Sequence, residues 1–390
     1  MLRVLTLATL FPNSAMPTFG GFVERQTLGL AARDDVEVEV VAARRLPVWP
    51  FLLHPHYGAT ANLPEREVWK GVTVHRPRFH GWPRLGLAGM ARAKARALLP
   101  FVKELHARFP FDVIDAEFFW PDGPAAMLLS RALGIPFSVK ARGSDIEAWT
   151  RIPAIAAQIG AAGKAADGLL AVSAKLKEHM VALGMPADKI KVHHTGVDMN
   201  LFRPVDRAAA KAALGVDGPL LAFAGNVIAR KGPDLLLAAL ERIPRATLIL
   251  AGDGAERGPL ERFARRAGLA DRVRFIGTRP HAELPGLFAA ADVMVLPTAA
   301  EGLANVWVES LACGTPVVTS DVGGAREAID RPAAGRLVAR EPAAIAAAVN
   351  EILANPPAQS DVRKAAERFS WEKNSAELFN HLSGLARRGK

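Results

Sequence analysis

Val293-Met-Val-Leu-Pro-Thr-Ala-Ala-Glu301-Gly-Leu-Ala-Asn305-Val-Trp-Val-Glu309-Ser-Leu-Ala-Cys313-Gly-Thr-Pro-Val-Val318 is the stretch whose pattern sets the fold class. Its first four residues form an apolar run closed by Pro297. A loop with Glu301 and Gly302 follows, then a helix starting near Asn305, then a second apolar run from Pro316. Strand, loop, helix and strand in that order make a βαβ unit, which implies a parallel sheet covered by helices. The unit is one of many. Further apolar runs lie at residues 220–225, 247–251, 273–276 and 335–338. An earlier series occupies residues 4–10, 36–41, 72–76, 112–116, 136–140, 168–172 and 191–194. Stretches of helical period separate the runs, among them residues 21–33, 233–243, 258–267 and 306–313. Periodicity breaks at residues 195–205, around Gly196-Val197-Asp198 and Pro204. The expected architecture is α/β: two Rossmann-like, doubly wound parallel-sheet domains divided near residue 200. Residues 361–390 read as helix without a strand partner. Open parallel sheets bind ligands beyond the carboxyl ends of their strands, so two such domains are expected to face a central cleft.

The composition agrees with a folded chain of this size. Half of the 390 residues are hydrophobic and 23% are charged, which excludes wholesale disorder. The single cysteine, Cys313, excludes an intramolecular disulfide and a thiolate metal site. No apolar run is long enough to span a membrane, and the opening residues 1–11 read as a buried strand, since Arg3 interrupts a short apolar core that runs into Pro12. The net charge is +10, and between Arg66 and Arg108 ten basic residues face two acidic ones, a local excess of eight. Trp69, Phe79, Trp82, Phe101 and Phe109 are interleaved with them. That mixture suits an anionic partner such as a lipid headgroup layer or a phosphorylated substrate, and equally a solvated basic face. No helix-turn-helix, RNP or zinc pattern accompanies it, so nucleic acid is not an expected partner.

Four features at predicted strand ends carry chemistry. Glu301 and Glu309 flank a helix start for which Asn305 is a fair N-cap. Ionised carboxylates accept hydrogen bonds only, and each can take both hydroxyls of a sugar diol; the plain alternative is a loop charge and a solvated helix residue. Gly225-Asn-Val-Ile-Ala-Arg230-Lys231-Gly232 precedes Pro233, which suits a first helical position. Two cations beside a helix N-terminus favour a diphosphate, although a basic turn has the same look. Gly20 and Gly21 open a helix after the first strand, either to let a ligand approach the backbone or to make a tight turn. Lys140-Ala-Arg142-Gly-Ser-Asp145 ends another strand; Arg142 could clamp an anion and Asp145 accept hydroxyls or cap a helix, or the two could belong to a buried ion pair.

Taken together these segments resemble the family-four glycosyltransferases, the large retaining group with the GT-B fold. Glu301 and Glu309 match the E-x7-E motif, and residues 310–318 its usual continuation. Gly225 with Arg230-Lys231-Gly232 is similar to the donor-phosphate loop. Gly20-Gly21 followed by Phe22-Val-Glu-Arg-Gln26 resembles a loop of a subgroup working on bacterial polysaccharides. Gly196-Val197-Asp198 with Phe202 resembles the hinge, and Phe369-Ser370-Trp371 the start of a closing helix. The likeness spans nearly the whole chain. It implies an acceptor-binding domain at residues 1–200, a nucleotide-sugar domain at 201–370, and a helix at 371–390 packing back on the first domain.

Residue by residue, the resemblance implies that Arg230 and Lys231 hold the donor diphosphate, Glu309 the ribose and Glu301 the transferred sugar. Amides of Gly302, Leu303, Ala304 and Asn305 would contact that sugar, Gly20 and Gly21 would approach the phosphates, and residues 276–279, with Arg279, would border the nucleobase. One departure is Arg142, which stands where many members have histidine before Gly-x-Asp145. The implied activity is a metal-independent, cofactor-free, retaining hexosyl transfer from a nucleoside-diphosphate sugar to a glycan or lipid-linked acceptor in polysaccharide or glycolipid synthesis. The implied place is the cytoplasm, with peripheral attachment at the inner membrane face. A sugar-nucleotide epimerase of similar fold and a non-catalytic nucleotide-sugar binder are the competing functions.

Overall fold

The computed structural model describes residues 1–46, 62–80 and 86–388, and it separates into two units, Met1–Thr195 with Trp371–Lys390 and Gly196–Ser370. In the second unit the six apolar runs form an all-parallel sheet. From one edge to the other its strands are Val273–Gly277, Thr247–Ala251, Leu220–Ala224, Val293–Leu296, Val317–Ser320 and Gly335–Val338. Numbered along the unit, the order is 3-2-1-4-5-6, the doubly wound arrangement that reverses between strands one and four. All residues of Leu220–Ala224 and Val293–Leu296 are buried. They are apolar throughout because helices cover both faces of the sheet. Pro233 stands in the first turn of helix Pro233–Leu240, where its missing N–H costs no intrahelical bond.

The first unit carries an eight-stranded sheet in the order Ile190–Val192, Gly168–Ala171, Phe137–Ala141, Val113–Ala116, Leu2–Leu7, Val36–Val41, Val72–His75 and Arg66–Trp69. The last strand is antiparallel to its neighbour. Sequence periodicity missed that edge strand, the short pair Arg44–Leu46 and Arg78–His80, and the helix Met90–Arg108, which contains Pro100. The C-terminal helix Trp371–Arg388 belongs to this unit. Its Leu378, Leu382 and Leu385 share a core with Leu2, Val4, Leu30 and Val36. Each such leucine contributes about 1.5–3 kcal/mol on burial, so a single Leu382→Asp would undock the helix. His381 on the same helix meets the Ser138 hydroxyl at 2.9 Å. The two chain segments that pass between units are bridged to each other, Val197 N–H donating to the Phe369 carbonyl at 2.7 Å.

The basic segment is less uniformly charged at its surface than its composition suggests. Lys94 is fully buried and ion-paired with Asp122 at 2.5 Å, and Arg76 is buried and paired with Glu67 at 2.5 Å. Arg92, Arg96 and Lys103 remain exposed along one face of Met90–Arg108. Trp82 and Arg84 lie outside the described residues. Among the described residues no helix is long and apolar enough to cross a membrane.

Candidate functional site

The second sheet reverses its strand order between Leu220–Ala224 and Val293–Leu296, and the loops beyond those two strand ends hold the charged residues. After the first strand the chain turns at Gly225 (φ 137°), makes a 3-10 turn over Ala229–Lys231 and enters the helix through Gly232 (φ 69°). A Cβ on Gly232 would stand 2.4 Å from the Pro297 carbonyl oxygen, so glycine is what lets the two loops close on each other. The Ala299 N–H, donating to the Arg230 carbonyl at 2.8 Å, stitches them together.

The side chains converge on one carboxylate. Lys231 Nζ is ion-paired with Glu301, Arg230 Nη1 lies 3.6 Å from the same oxygen, and the Thr298 hydroxyl donates to it at 3.2 Å. Glu301 and Lys231 are 13% and 15% exposed, against 47% for Arg230, so the pair is sheltered while Arg230 reaches solvent. Behind Glu301 the Gly324 N–H donates to the Gly302 carbonyl at 2.6 Å, and a Cβ on Gly323 would fall 1.8 Å from the Glu301 carbonyl oxygen. This Gly-Gly brace, at the end of the next strand, was not singled out from sequence.

Asn305 is not the N-cap. Helix Asn305–Ala312 begins on it, and Ala304, in extended conformation, occupies the capping position with no side-chain bond. The first amides of the helix therefore lack a side-chain acceptor, while Leu303 and Ala304 are buried behind them. Glu309, also buried, meets His281 Nε2 at 2.7 Å, and Phe202 sets its ring edge-on against that imidazole at 4.9 Å. His281 escaped sequence reasoning although it lies two residues beyond Arg279. Arg279 is exposed, 3.8 Å from Glu283, beside a cavity of about 350 Å³ that Ile276 also lines. Cys313 is no nucleophile: burial, with the Glu309 charge, pushes its thiol up to about 12.

In the first unit two expectations change. Asp145 is wholly buried, and its carboxylate accepts the N–H groups of Phe119 at 3.0 Å, Arg142 at 2.9 Å and Gly143 at 2.8 Å. Burial raises its pKa against the pull of those amides. It braces the loop and is closed to ligand hydroxyls. Gly20, at φ 70°, faces its own chain: a Cβ there would stand 2.4 Å from the Leu10 carbonyl oxygen. The close approach it permits is therefore internal, whereas Gly21 faces open space at the start of helix Gly21–Ala31.

Arg142 is ion-paired with Glu117, its Nε donates to the Glu117 carbonyl at 3.1 Å, and its guanidinium lies 4.8 Å over the Phe22 ring. Its side chain is 4% exposed, yet Nη1 is buried without a partner. Around it runs a network that the sequence did not reveal. Gln26 donates to Glu117, and Lys140 Nζ bonds Gln26 Oε1 at 2.5 Å and His193 Nδ1 at 2.8 Å. His193 Nε2 meets the Asn374 carbonyl at 2.9 Å, which can only accept, so the imidazole proton sits on Nε2 and Nδ1 accepts from Lys140. Burial, then the Arg142 charge, pushes Lys140 well down; burial, then Lys140, does the same to His193. Asp115 moves well up through burial and the Glu117 charge. The structure thus gathers Arg230, Lys231 and Glu301 in one unit, and Arg142 with Glu117 and Gln26 in the other.

Known proteins resemble this chain in sequence and in fold. The family described as glycosyl transferases group 1 matches residues 205–369, and the glycosyl transferase 4-like domain matches residues 21–196. The chain is 32% identical to D-inositol 3-phosphate glycosyltransferase 1 of Catenulispora acidiphila over 95% of this chain and 92% of that one. Sucrose-phosphate synthase from Thermosynechococcus elongatus superposes with a TM-score of 0.83 at 23% identity, covering 100% of both chains. Anabaena Alr3699/HepE in complex with UDP-glucose superposes with a TM-score of 0.73 at 21% identity over 98% of this chain and 100% of that one. Both likenesses are to GT-B structures and concern the fold.

Proposed function

This chain belongs to the family-four glycosyltransferases, and from that premise we propose that it moves a sugar from a nucleoside-diphosphate sugar to an acceptor hydroxyl with retention and without a divalent cation. It is a transferase with the GT-B fold, which displaces the epimerase and the non-catalytic binder. The observation that carries the reading is the Lys231–Glu301 ion pair, with Arg230 beside it, at the point where strand order reverses. Lys231 pairs with the Glu301 carboxylate, and its ammonium is the group a diphosphate would take. On donor binding, Lys231 and Arg230 turn to the diphosphate, and Glu301 is released to accept hydroxyls of the transferred sugar. Glu309 takes the ribose diol, exchanging its bond to His281. Gly225, Gly302 to Asn305 and Arg279 border the donor.

In the reaction the bond from the anomeric carbon to the diphosphate breaks. The acceptor oxygen bonds to the same face, and the acceptor proton passes to the departing phosphate oxygen. Fixed cations neutralise the charge that develops there, the role a metal would otherwise have. Arg142 stays charged, so it serves as an electrostatic partner and not as a base. The acceptor is a glycan or a lipid-linked glycan; the name of the inositol-phosphate relative favours a phosphorylated polyol as the second reading. For a lipid-linked acceptor the protein works at the cytoplasmic membrane face, held by Arg92, Arg96 and Lys103. Each basic residue near an anionic surface contributes about 1 kcal/mol. Charge reversal at these three positions should abolish sedimentation with anionic liposomes at low salt, and unchanged sedimentation removes the attachment. The donor reading is tested by thermal shift with UDP, GDP and ADP. One nucleotide should raise the melting temperature of the wild type clearly more than that of Lys231→Ala, and no shift with any of them contradicts it.

A further inference from the structure

Lys231 and Glu301 stand on two loops, and whatever fixes one loop against the other decides where the two charges lie. Between the loops, the Ala299 N–H at 2.8 Å and the Thr298 hydroxyl at 3.3 Å both donate to the Arg230 carbonyl. The base of the second loop is Pro297, whose ring leaves it no N–H. Its carbonyl oxygen faces Gly232, where a Cβ would stand 2.4 Å away, yet the Gly232 N–H donates elsewhere, to the Ala229 carbonyl at 3.1 Å. Among the described residues one donor reaches that oxygen, Arg340 Nε at 2.9 Å. Arg340 lies two residues past the edge strand Gly335–Val338, so its side chain crosses the end of Val317–Ser320 to reach Pro297. Its backbone is held in a tight turn, the Glu341 N–H donating to the Ala339 carbonyl at 2.8 Å just before helix Pro342–Ala354. Arg340 is exposed and has no carboxylate partner among the described residues. Solvent would satisfy such a guanidinium, so the consequence of the bond falls on the Pro297 carbonyl, which has no other donor.

We propose that Arg340 is a positioning residue of the donor site: through Pro297 it holds the Glu301 loop against the turn at Gly232, and so sets Lys231 and Glu301 in place for the diphosphate and the sugar. It acts through the loop and touches no reacting atom. The inference rests on the donor reading above and adds a residue from the far edge of the sheet to it. Arg340 brings both a hydrogen bond and an unpaired charge, and side-chain chemistry separates the two. Glutamine places an amide nitrogen as many bonds from Cα as Arg340 Nε, which keeps a donor and removes the charge; methionine keeps the length and supplies no donor.

The test compares the full chain as wild type, Arg340→Gln and Arg340→Met, by hydrogen exchange without ligand and by calorimetric titration with UDP, GDP and ADP. The reporter is the Ala299 amide, whose bond to Arg230 joins the two loops. In Arg340→Met it should exchange about tenfold faster, while amides of strand Val293–Leu296 exchange as in wild type, which separates a loosened loop from a loosened fold. Affinity for whichever nucleotide binds should fall about three- to tenfold in Arg340→Met. Arg340→Gln should stay within about twofold of wild type in both measurements. In a Lys231→Ala background Arg340→Met should weaken binding by less than about twofold, because it acts through Lys231. Unchanged exchange at Ala299 in Arg340→Met, faster exchange that extends to the strand, or equal losses in both variants overturns the proposal; equal losses would assign the effect to charge. If no nucleotide binds the wild type, the donor reading fails, and the exchange comparison still decides whether Arg340 holds the loop.

Discussion

Lys231→Ala removes the ammonium that neutralises Glu301 and, on the proposed reading, the donor diphosphate. A hydrogen bond to a charged group contributes about 1.5–3 kcal/mol, so donor affinity should fall roughly ten- to hundredfold. The structure places the loss in the upper part of that range. With Lys231 gone, the 13%-exposed Glu301 carboxylate keeps Arg230 at 3.6 Å and the Thr298 hydroxyl at 3.2 Å, and it presents an under-neutralised anion to an incoming one. Glu301→Gln removes that anion. The same Lys231→Ala change should therefore cost less in the Glu301→Gln background, with a coupling of about 1 kcal/mol, inside the range of roughly 0.5–3 kcal/mol seen for side chains in contact. The assay is calorimetric titration of the preferred nucleoside diphosphate into the wild type, both single variants and the double variant, with circular dichroism to confirm the fold. Wild-type affinity in Lys231→Ala, or single effects that add within about 0.5 kcal/mol, would refute the reasoning.

Glu301→Gln should lose most turnover while still binding the free nucleotide, whereas Glu309→Gln should weaken nucleotide and nucleotide sugar alike; the reverse pattern swaps the two roles. Activity should persist in EDTA, and loss on chelation restored by magnesium or manganese would remove the cations from their assigned task. Burial, then the Lys191 charge, lowers His381 to about 3, while an unfolded histidine titrates near about 6.5. Between those values the unfolded chain binds a proton that the folded chain refuses, so stability falls as pH falls through that window. From about pH 7.5 to 5 this one group removes about 2 kcal/mol. Urea melts of His381→Gln should show a correspondingly shallower decline than wild type, and parallel declines would contradict the assignment.

The sheets were legible because strands covered on both faces become plain apolar runs. Residues 247–251, 293–296 and 335–338 are strands with the bounds their composition suggests. The edge strand Arg66–Trp69 was not, since each face pairs a charge with an apolar residue, Arg66 with exposed Val68 and Glu67 with Trp69, so neither an apolar run nor a clean alternation marks it. Helix Met90–Arg108 was obscured by Pro100 and by basic residues on both buried and exposed faces. At the site, Arg230, Lys231 and Glu301 are marked locally by the glycines and prolines that punctuate strand ends. Gln26, Glu117, Lys140 and His193 carry no such punctuation; they meet only because the sheet and the C-terminal helix bring residues far apart in sequence together. Asp145 misled for a related reason. A carboxylate after a strand looks the same in sequence whether it faces a ligand or, as here, three backbone amides.

The central claim is glycosyl transfer, and the most direct measurement counts its two products together. The wild type is incubated with the nucleotide sugar selected by thermal shift and with a candidate acceptor, and nucleoside diphosphate and glycosylated acceptor are quantified over time. They should appear in equal amounts, with the α or β configuration of the donor kept in the product, and both should nearly vanish in Lys231→Ala. Diphosphate release without sugar on the acceptor, an epimerised donor in the absence of acceptor, or undiminished turnover in Lys231→Ala would contradict the account.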